Sequence, residues 1–337
     1  MKRIASHRPF LLRFECPRAT VPAILSCLFC LFLAAAPVHA LDPSKRLTQY
    51  IHTSWRIQDG SLPAGMFSIT QSSDGFLWFS AIAQGVYRFD GVRFVSWVPP
   101  SKIFYQIYSV FADHAGGLWA LGDRAIAHVK GGAVVAYFDL EGLGGRVGVS
   151  QDPDGSLWVT RASNRVVDAP LCHITDRAAR CSGKSDGIPI SPADALLPDG
   201  EGGFWVGGQT ALVHWRAGLS QVYAIEKLKS NTGDVGITSL ARGADGSLWV
   251  GIAAAGPGLG LGRFRDRAFR PFVTADFDGT KVTARDMLVD RDGSLWVATL
   301  GKGIFRIRDN VVEHYGRADG LSSDTVTALF EDKERVV

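Results

Sequence analysis

Short alternating apolar runs separated by glycine-rich turns fill most of this chain. Phe67-Ser68-Ile69, Tyr108-Ser109-Val110-Phe111, Val147-Gly148-Val149, Ile237-Thr238-Ser239-Leu240 and Met287-Leu288-Val289 each precede an Asp-Gly or Gly-Gly cluster. Beyond the cluster the chain resumes with Leu-Trp or Phe-Trp, so each cluster predicts a β-hairpin joining two strands. Glycine gives such a turn its positive φ, and aspartate can bond its own backbone there. A third strand is predicted at Gly85-Val86-Tyr87-Arg88-Phe89, with copies at Gly260-Leu261-Gly262-Arg263-Phe264 and Gly303-Ile304-Phe305-Arg306-Ile307. Weaker copies are Ala125-Ile126-Ala127-His128-Val129 and Ala211-Leu212-Val213-His214-Trp215. A fourth apolar run, such as Val92-Arg93-Phe94-Val95 or Val311-Val312-Glu313-His314-Tyr315, closes the unit.

The hairpins are copies of one another. Trp78, Trp119, Trp158, Trp205, Trp249 and Trp296 follow at intervals of 41, 39, 47, 44 and 47 residues, each with a glycine three places earlier. Four short antiparallel strands repeated at about 40 to 50 residues are the blade of a β-propeller. The fold class is therefore all-β, a propeller of four-stranded blades with six repeats present and a seventh begun at Val326-Thr327-Ala328-Leu329-Phe330. A tryptophan that recurs in every blade is read as packing between blades, whereas Trp55, Trp97 and Trp215 stand outside the series. Leu47-Thr48-Gln49-Tyr50, followed by Asp59-Gly60, matches Val312-Glu313-His314-Tyr315, followed by Asp319-Gly320. Residues 47–50 are thus expected to be an outer strand closing a seven-bladed ring, which removes the free edges of an open sheet. The seventh repeat runs only to Val337, so residues 41–337 read as a propeller incomplete at its C-terminus.

The first forty residues follow a different pattern. A basic stretch runs through Arg18, an apolar core extends from Val21 to Pro37, and Val38-His39-Ala40 puts small residues at the −3 and −1 positions of a cut after Ala40. That is the layout of a secretory signal peptide over residues 1–40. Val21 to Ala36 is shorter than the roughly 20 apolar residues that span a bilayer, which weighs against an uncleaved anchor. Removing the leader takes away five bases, Lys2, Arg3, Arg8, Arg13 and Arg18, and one acid, Glu15, so the net charge moves from +3 to −1. No basic stripe remains to hold nucleic acid.

Cys16, Cys27 and Cys30 belong to the leader, leaving Cys172 and Cys181. In an oxidising compartment these two are expected to pair. Their disulfide would constrain a surface excursion, because the repeat pattern dissolves over residues 160–195. A metal site would need further Cys or His nearby, and only His173 is close. Chemistry is otherwise absent from the pattern. The histidines are scattered without metal-type pairing, the serines lack a nucleophile elbow, and Gly258-Leu259-Gly260 lacks the strand–helix context of a phosphate loop. Asp74, Asp154, Asp245 and Asp292 recur at one register of the turn, as structural residues do. No catalytic residue, metal site or cofactor is assigned. Recognition is expected in the loops and around the central channel, with residues 160–195 and Ala253-Ala254-Ala255-Gly256-Pro257-Gly258 as the candidates.

The repeated Asp-Gly-x-Leu-Trp turn, the third strand Gly85-Val86-Tyr87-Arg88-Phe89-Asp90-Gly91 and the Tyr315 to Asp319-Gly320-Leu321 spacing resemble the two-component regulator propeller repeat. The opening Leu41-Asp42-Pro43, with Leu47-Thr48-Gln49-Tyr50, His52-Thr53, Trp55 and Gln58-Asp59-Gly60, resembles the start of the mature sensor region in that family. The likeness covers residues 42–334 and departs at Ala115, where the turn Asp is missing, and over 160–195. It implies a periplasmic sensor domain that binds a small molecule, a carbohydrate among the candidates, or a second propeller. It also implies a membrane helix and a histidine kinase, diguanylate cyclase or DNA-binding output, none of which is read in residues 41–337. Two other classes stay open: a scaffold or adhesion propeller, and a propeller enzyme. Ser72-Ser73-Asp74-Gly75-Phe76-Leu77-Trp78 approaches the turn of sialidases, and streptogramin lyases share a similar repeat.

Overall fold

The computed structural model describes residues 46–49, 52–81, 84–97, 106–140, 143, 147–161, 168–217, 219–229, 236–334 and 337. Residues 1–40, the cut after Ala40 and Tyr50 lie outside these. The described residues form six antiparallel four-stranded sheets, each in chain order. Blade 1 comprises β1 (Met66–Gln71), β2 (Leu77–Ala81), β3 (Gly85–Phe89) and β4 (Phe94–Trp97). Blade 2 comprises β5 (Ile107–Ala112), β6 (Leu118–Gly122), β7 (Ala125–Lys130) and β8 (Ala133–Asp139). Blade 3 comprises β9 (Val149–Gln151), β10 (Leu157–Thr160), β11 (Leu171–Ile174) and β12 (Ala179–Ser182). Blade 4 comprises β13 (Ala193–Pro198), β14 (Phe204–Gly208), β15 (Ala211–Arg216) and β16 (Leu219–Ala224). Blade 5 comprises β17 (Ile237–Arg242), β18 (Leu248–Ile252), β19 (Leu261–Arg265) and β20 (Ala268–Pro271), and blade 6 β21 (Ala284–Val289), β22 (Leu295–Thr299), β23 (Ile304–Arg308) and β24 (Val311–Tyr315).

The first strands of successive blades pack on one another, β1 on β5, β9 on β13, β13 on β17 and β17 on β21, so they converge on a central channel. The fold is a propeller ring of six four-stranded blades. Its hairpin turns are made as the sequence predicts: Gly75 has φ +91° and Gly246 φ +75°, where a Cβ would be strained. Ser156 and Ser247 donate backbone N–H groups to Asp154 and Asp245 two residues earlier, closing each turn from the side-chain end.

The recurrent tryptophans lie at the seams between blades. Trp119 joins Leu157 and Val159 of blade 3, Trp158 joins Phe204 and Val213 of blade 4, and Trp249 joins Met287 and Leu295 of blade 6. Trp78 and Trp205 pack in the same way against blades 2 and 5. Because each blade has two faces to cover, an apolar residue at a fixed register serves every seam at once.

The structure corrects two expectations about elements. Within residues 160–195 the blade pattern does not dissolve: β11 and β12 are the third and fourth strands of blade 3, joined at 175–178. Their short length and the polar residues His173, Arg180 and Ser182 hid them. Cys172 and Cys181 therefore face each other across a blade hairpin, with sulfurs 1.96 Å apart, rather than closing a surface excursion. Residues 47–49 form one 3₁₀ turn rather than an outer strand. It lies beside the outer strand of blade 6, and its backbone closes on itself, Gln49 N–H to Arg46 O and Arg46 N–H to Gln49 Oε1.

Residues 324–334 run between blade 6 and blade 1. On one side Val326 donates to Thr299 O and Leu329 to Asp286 Oδ2. On the other Thr327 Oγ1 donates to Met66 O and Lys333 N–H to Gln71 Oε1. Tyr315 at the rim of blade 6 meets His52, and Trp55 packs edge-on against Phe89 of blade 1. These segments bond singly rather than in a ladder, and no seventh sheet is present among the described residues.

Candidate functional site: the central cavity

One irregularity recurs in the innermost strands. The register of β1 with β2 skips one residue between Met66 and Ser68, and the same slip falls between Ile107 and Ser109, Ala193 and Ala195, Ile237 and Ser239, and Ala284 and Asp286. Each slip is a β-bulge, which leaves one residue outside the ladder and re-aims its side chain. The bulged residues are Phe67, Tyr108, Asp194, Thr238 and Arg285. Phe67, Tyr108 and Arg285 line a cavity of about 200 Å³ in the channel, together with Phe111, Val147, Val149 and Leu329. The bulge recurs in five of the six blades, and in three of them it presents a side chain to the cavity whose chemistry the blade's sequence sets.

The polar groups at this level are mostly engaged in holding the ring. Ser68 Oγ accepts from Val110 N–H of blade 2 at 2.9 Å and lies 2.9 Å from Ser80 Oγ, while Ser80 Oγ donates to Tyr108 O. Asp286 accepts from Met287 and Leu329 N–H groups. Tyr108 turns its hydroxyl to Gln106 Oε1 at 2.5 Å, leaving its ring on the cavity wall. Phe67 remains 37% exposed, a high value for a large apolar side chain on an innermost strand. The cavity therefore offers aromatic faces from two adjacent blades with a guanidinium on a third. Such a surface suits a small molecule with a flat apolar face and polar edges. Among the described residues no histidine or cysteine lines it, and no cluster of His, Cys, Asp and Glu could hold a metal ion.

A second group of polar residues sits on the rim that carries the hairpin turns. His128, His173 and His214 occupy one register, each paired across strands with its blade's tryptophan. Their rings stack on Trp119, Trp158 and Trp205 at centroid distances of 3.9, 4.4 and 4.2 Å. Arg263 and Arg306 replace them in blades 5 and 6, the former 4.2 Å above Trp249. Three of the eight histidines thus form one repeated feature; His128 and His214 each follow their tryptophan by nine residues, and His173, fifteen after Trp158, joins them only through the strand pairing. His128 Nε2 contacts Asp113 Oδ2 at 2.5 Å and His214 Nε2 contacts Asp199 Oδ2 at 2.9 Å. Burial alone would raise the pKa of Asp113, but the Gly117 N–H and His128 outweigh it and hold the carboxyl below its usual range.

Of the sequence-based recognition candidates, residues 253–258 do not line the cavity. They pack on their own blade, with Ala253 donating to Gly236 O and Gly256 to Thr280 O. From 160–195, Thr175 and Asp176 reach a groove between blades 2 and 3 instead. The bulged residues went unnoticed because a bulge is a property of strand pairing. Among the described residues no helix is long and apolar enough to cross a membrane.

No protein-family model matches the chain, and no curated protein matches its sequence. Solved structures do match its fold. The extracellular domain of BT3049 of B. thetaiotaomicron, described as a hybrid two component system, is 16% identical with a TM-score of 0.60, over 79% of this chain and 37% of that one. The extracellular domain of BT4673 from the same organism is 15% identical with a TM-score of 0.63, over 81% and 36%. This chain thus spans little more than a third of the length of either extracellular domain. Virginiamycin B lyase from Staphylococcus aureus is 16% identical with a TM-score of 0.57, over 75% of this chain and 85% of the lyase. At these identities the likeness establishes the propeller fold shared by two-component extracellular domains and a lyase.

Proposed function

We propose that this chain is the ligand-binding propeller of an exported signalling protein of two-component type, freed of residues 1–40 by cleavage after Ala40. The observation that supports it is the cavity walled by bulged Phe67, Tyr108 and Arg285, open enough to leave Phe67 exposed and backed by a ring that holds those side chains at fixed height. The fold shared with two extracellular domains of signalling proteins favours this reading over a bare scaffold. The ligand is a small molecule that lays a flat face on Phe67 and Tyr108. In a longer signalling protein its arrival would be passed to an output domain beyond the propeller.

The test is a thermal-shift screen of the purified protein against mono- and disaccharides and cyclic organic acids. A ligand at one hundred times its Kd is expected to add about 2.7 kcal/mol of stability. Tyr108→Ala and Phe67→Ala should each abolish that shift. A ligand whose shift survives both substitutions would place binding elsewhere and refute the cavity as the site.

A further inference from the structure

His128 differs from its counterparts in one respect. Its side chain is 2% exposed, and both ring nitrogens face carboxylates, Nε2 to Asp113 Oδ2 at 2.5 Å and Nδ1 to Asp176 Oδ1 at 2.9 Å. Asp113 belongs to its own blade, in the β5–β6 turn, whereas Asp176 comes from the β11–β12 hairpin of blade 3. His173 in blade 3 instead meets Ser156 Oγ, and His214 in blade 4 meets Asp199, which lies in its own blade. A neutral imidazole carries one N–H, and an ionised carboxylate only accepts. The two contacts can both be hydrogen bonds only when His128 holds two protons.

Trp119 shows how firmly Asp113 is held on His128 Nε2. In blades 3 and 6 the tryptophan indole donates to the aspartate six residues earlier, Trp158 to Asp152 at 2.8 Å and Trp296 to Asp290 at 2.7 Å. Asp113 stands at that register in blade 2, yet it is turned to His128, and Trp119 Nε1 is buried without an acceptor. Asp199, at the same register in blade 4, is likewise turned to its histidine, so the His128 Nε2–Asp113 contact holds the carboxylate away from the indole in either charge state of the ring.

We infer that His128 is a proton-operated latch between blades 2 and 3. Charged, it ties the tip of the β11–β12 hairpin to blade 2. On losing a proton it keeps Nε2–H on Asp113, whose carboxyl is 2% exposed, and releases Asp176, which is 59% exposed and readily hydrated. The released Nδ1 lone pair then faces a carboxylate and repels it. Asp176 sits inside the ten-residue ring closed at Cys172 and Cys181, so residues 175–178 swing as one short loop. Their departure widens the groove lined by Asp113, Lys130, Asp154, Thr175 and Asp176. The other titratable groups around the latch are Lys130 on its own strand, 3.8 Å from Asp113, and His114 and Asp154 in the groove. The latch is independent of what the central cavity binds.

Two measurements on the full purified protein test it: imidazole nitrogen NMR of His128, and amide hydrogen exchange of residues 175–178, each followed from about pH 5 to about pH 9. His128 should show two N–H groups at the acid end and one, on Nε2, at the alkaline end. Over the same interval the exchange of 175–178, corrected for intrinsic pH dependence, should accelerate about tenfold, the loss expected for one charge-assisted bond. Asp176→Ala, at an exposed position, leaves His128 Nδ1 without a partner in either protonation state and should show fast exchange at every pH. A single N–H on His128 throughout, corrected exchange that does not change with pH, or an undiminished pH response in Asp176→Ala would each overturn the latch.

Discussion

Asp199 organises the rim of blade 4, and its removal should be among the most damaging single changes outside the apolar core. Its side chain is 3% exposed and accepts from Glu201 N–H at 2.7 Å, Gly203 N–H at 2.8 Å, His214 Nε2 at 2.9 Å and Arg216 Nε at 2.8 Å. Burial by itself would raise the pKa of Asp199, but these four donors lower it far below the carboxylate range. Asp199→Ala leaves them without an acceptor. Arg216 is 39% exposed and recovers water, and it retains Glu201, so the loss falls on the buried donors. About 3 to 4 kcal/mol is expected, which at roughly 2 to 4 °C per kcal/mol lowers Tm by about 10 °C. Asp199→Asn keeps one acceptor oxygen and should lose about 2 kcal/mol. Urea unfolding followed by tryptophan fluorescence reads both, because Trp205 stacks on His214 at 4.2 Å. The sign of the pH effect follows from the depressed folded pKa. The contribution of Asp199 is full above the unfolded value of about 3.9 and fades as pH falls below it. The lead of the wild type over Asp199→Asn should thus persist at neutral pH and shrink on acidification. Asp199→Ala within about 0.5 kcal/mol of wild type, in the range of a neutral surface change, would refute the reasoning.

Trp249→Ala should cost roughly 3 to 5 kcal/mol in the same assay, since this 3% exposed ring fills the seam between blades 5 and 6. Gly183→Ala should prevent folding or soluble expression, because its Cβ would lie 2.0 Å from Asp168 O. Gly246→Ala meets no atom within 4 Å and should cost only about 1 kcal/mol, from its positive φ. Cys172→Ser should lower stability by about 2 to 3 kcal/mol in the oxidised protein and by much less under reducing conditions. Mass spectrometry of exported protein should find an N-terminus at Leu41.

The propeller was legible because its signals are local. Each hairpin announces itself through a glycine that tolerates positive φ, an aspartate that bonds its own turn and a tryptophan at a fixed offset, and repetition makes six weak signals strong. Blade 3 escaped in part for the same reason. Its third and fourth strands, Leu171–Ile174 and Ala179–Ser182, are only four residues each and lack the Gly-x-x-Arg-Phe signature. The register of His128 and His214, each nine residues after its tryptophan, was readable in sequence, but only the strand pairing brings in His173, fifteen residues after Trp158.

The sequence by itself determined most of the architecture: the hairpins and most strands follow from periodicities within about ten residues, and the tryptophan intervals of 39 to 47 residues set the blade repeat. The tertiary structure decided what faces the channel and what bridges the blades. A bulge adds one residue to a strand, and one residue reverses which face every following side chain occupies. Phe67, Tyr108 and Arg285 therefore reach the cavity through pairing with their second strands, which alternation alone does not encode. His128 meets Asp176 across 48 residues because two blades close side by side, and the position of a charged group between two carboxylates exists only once the ring has formed.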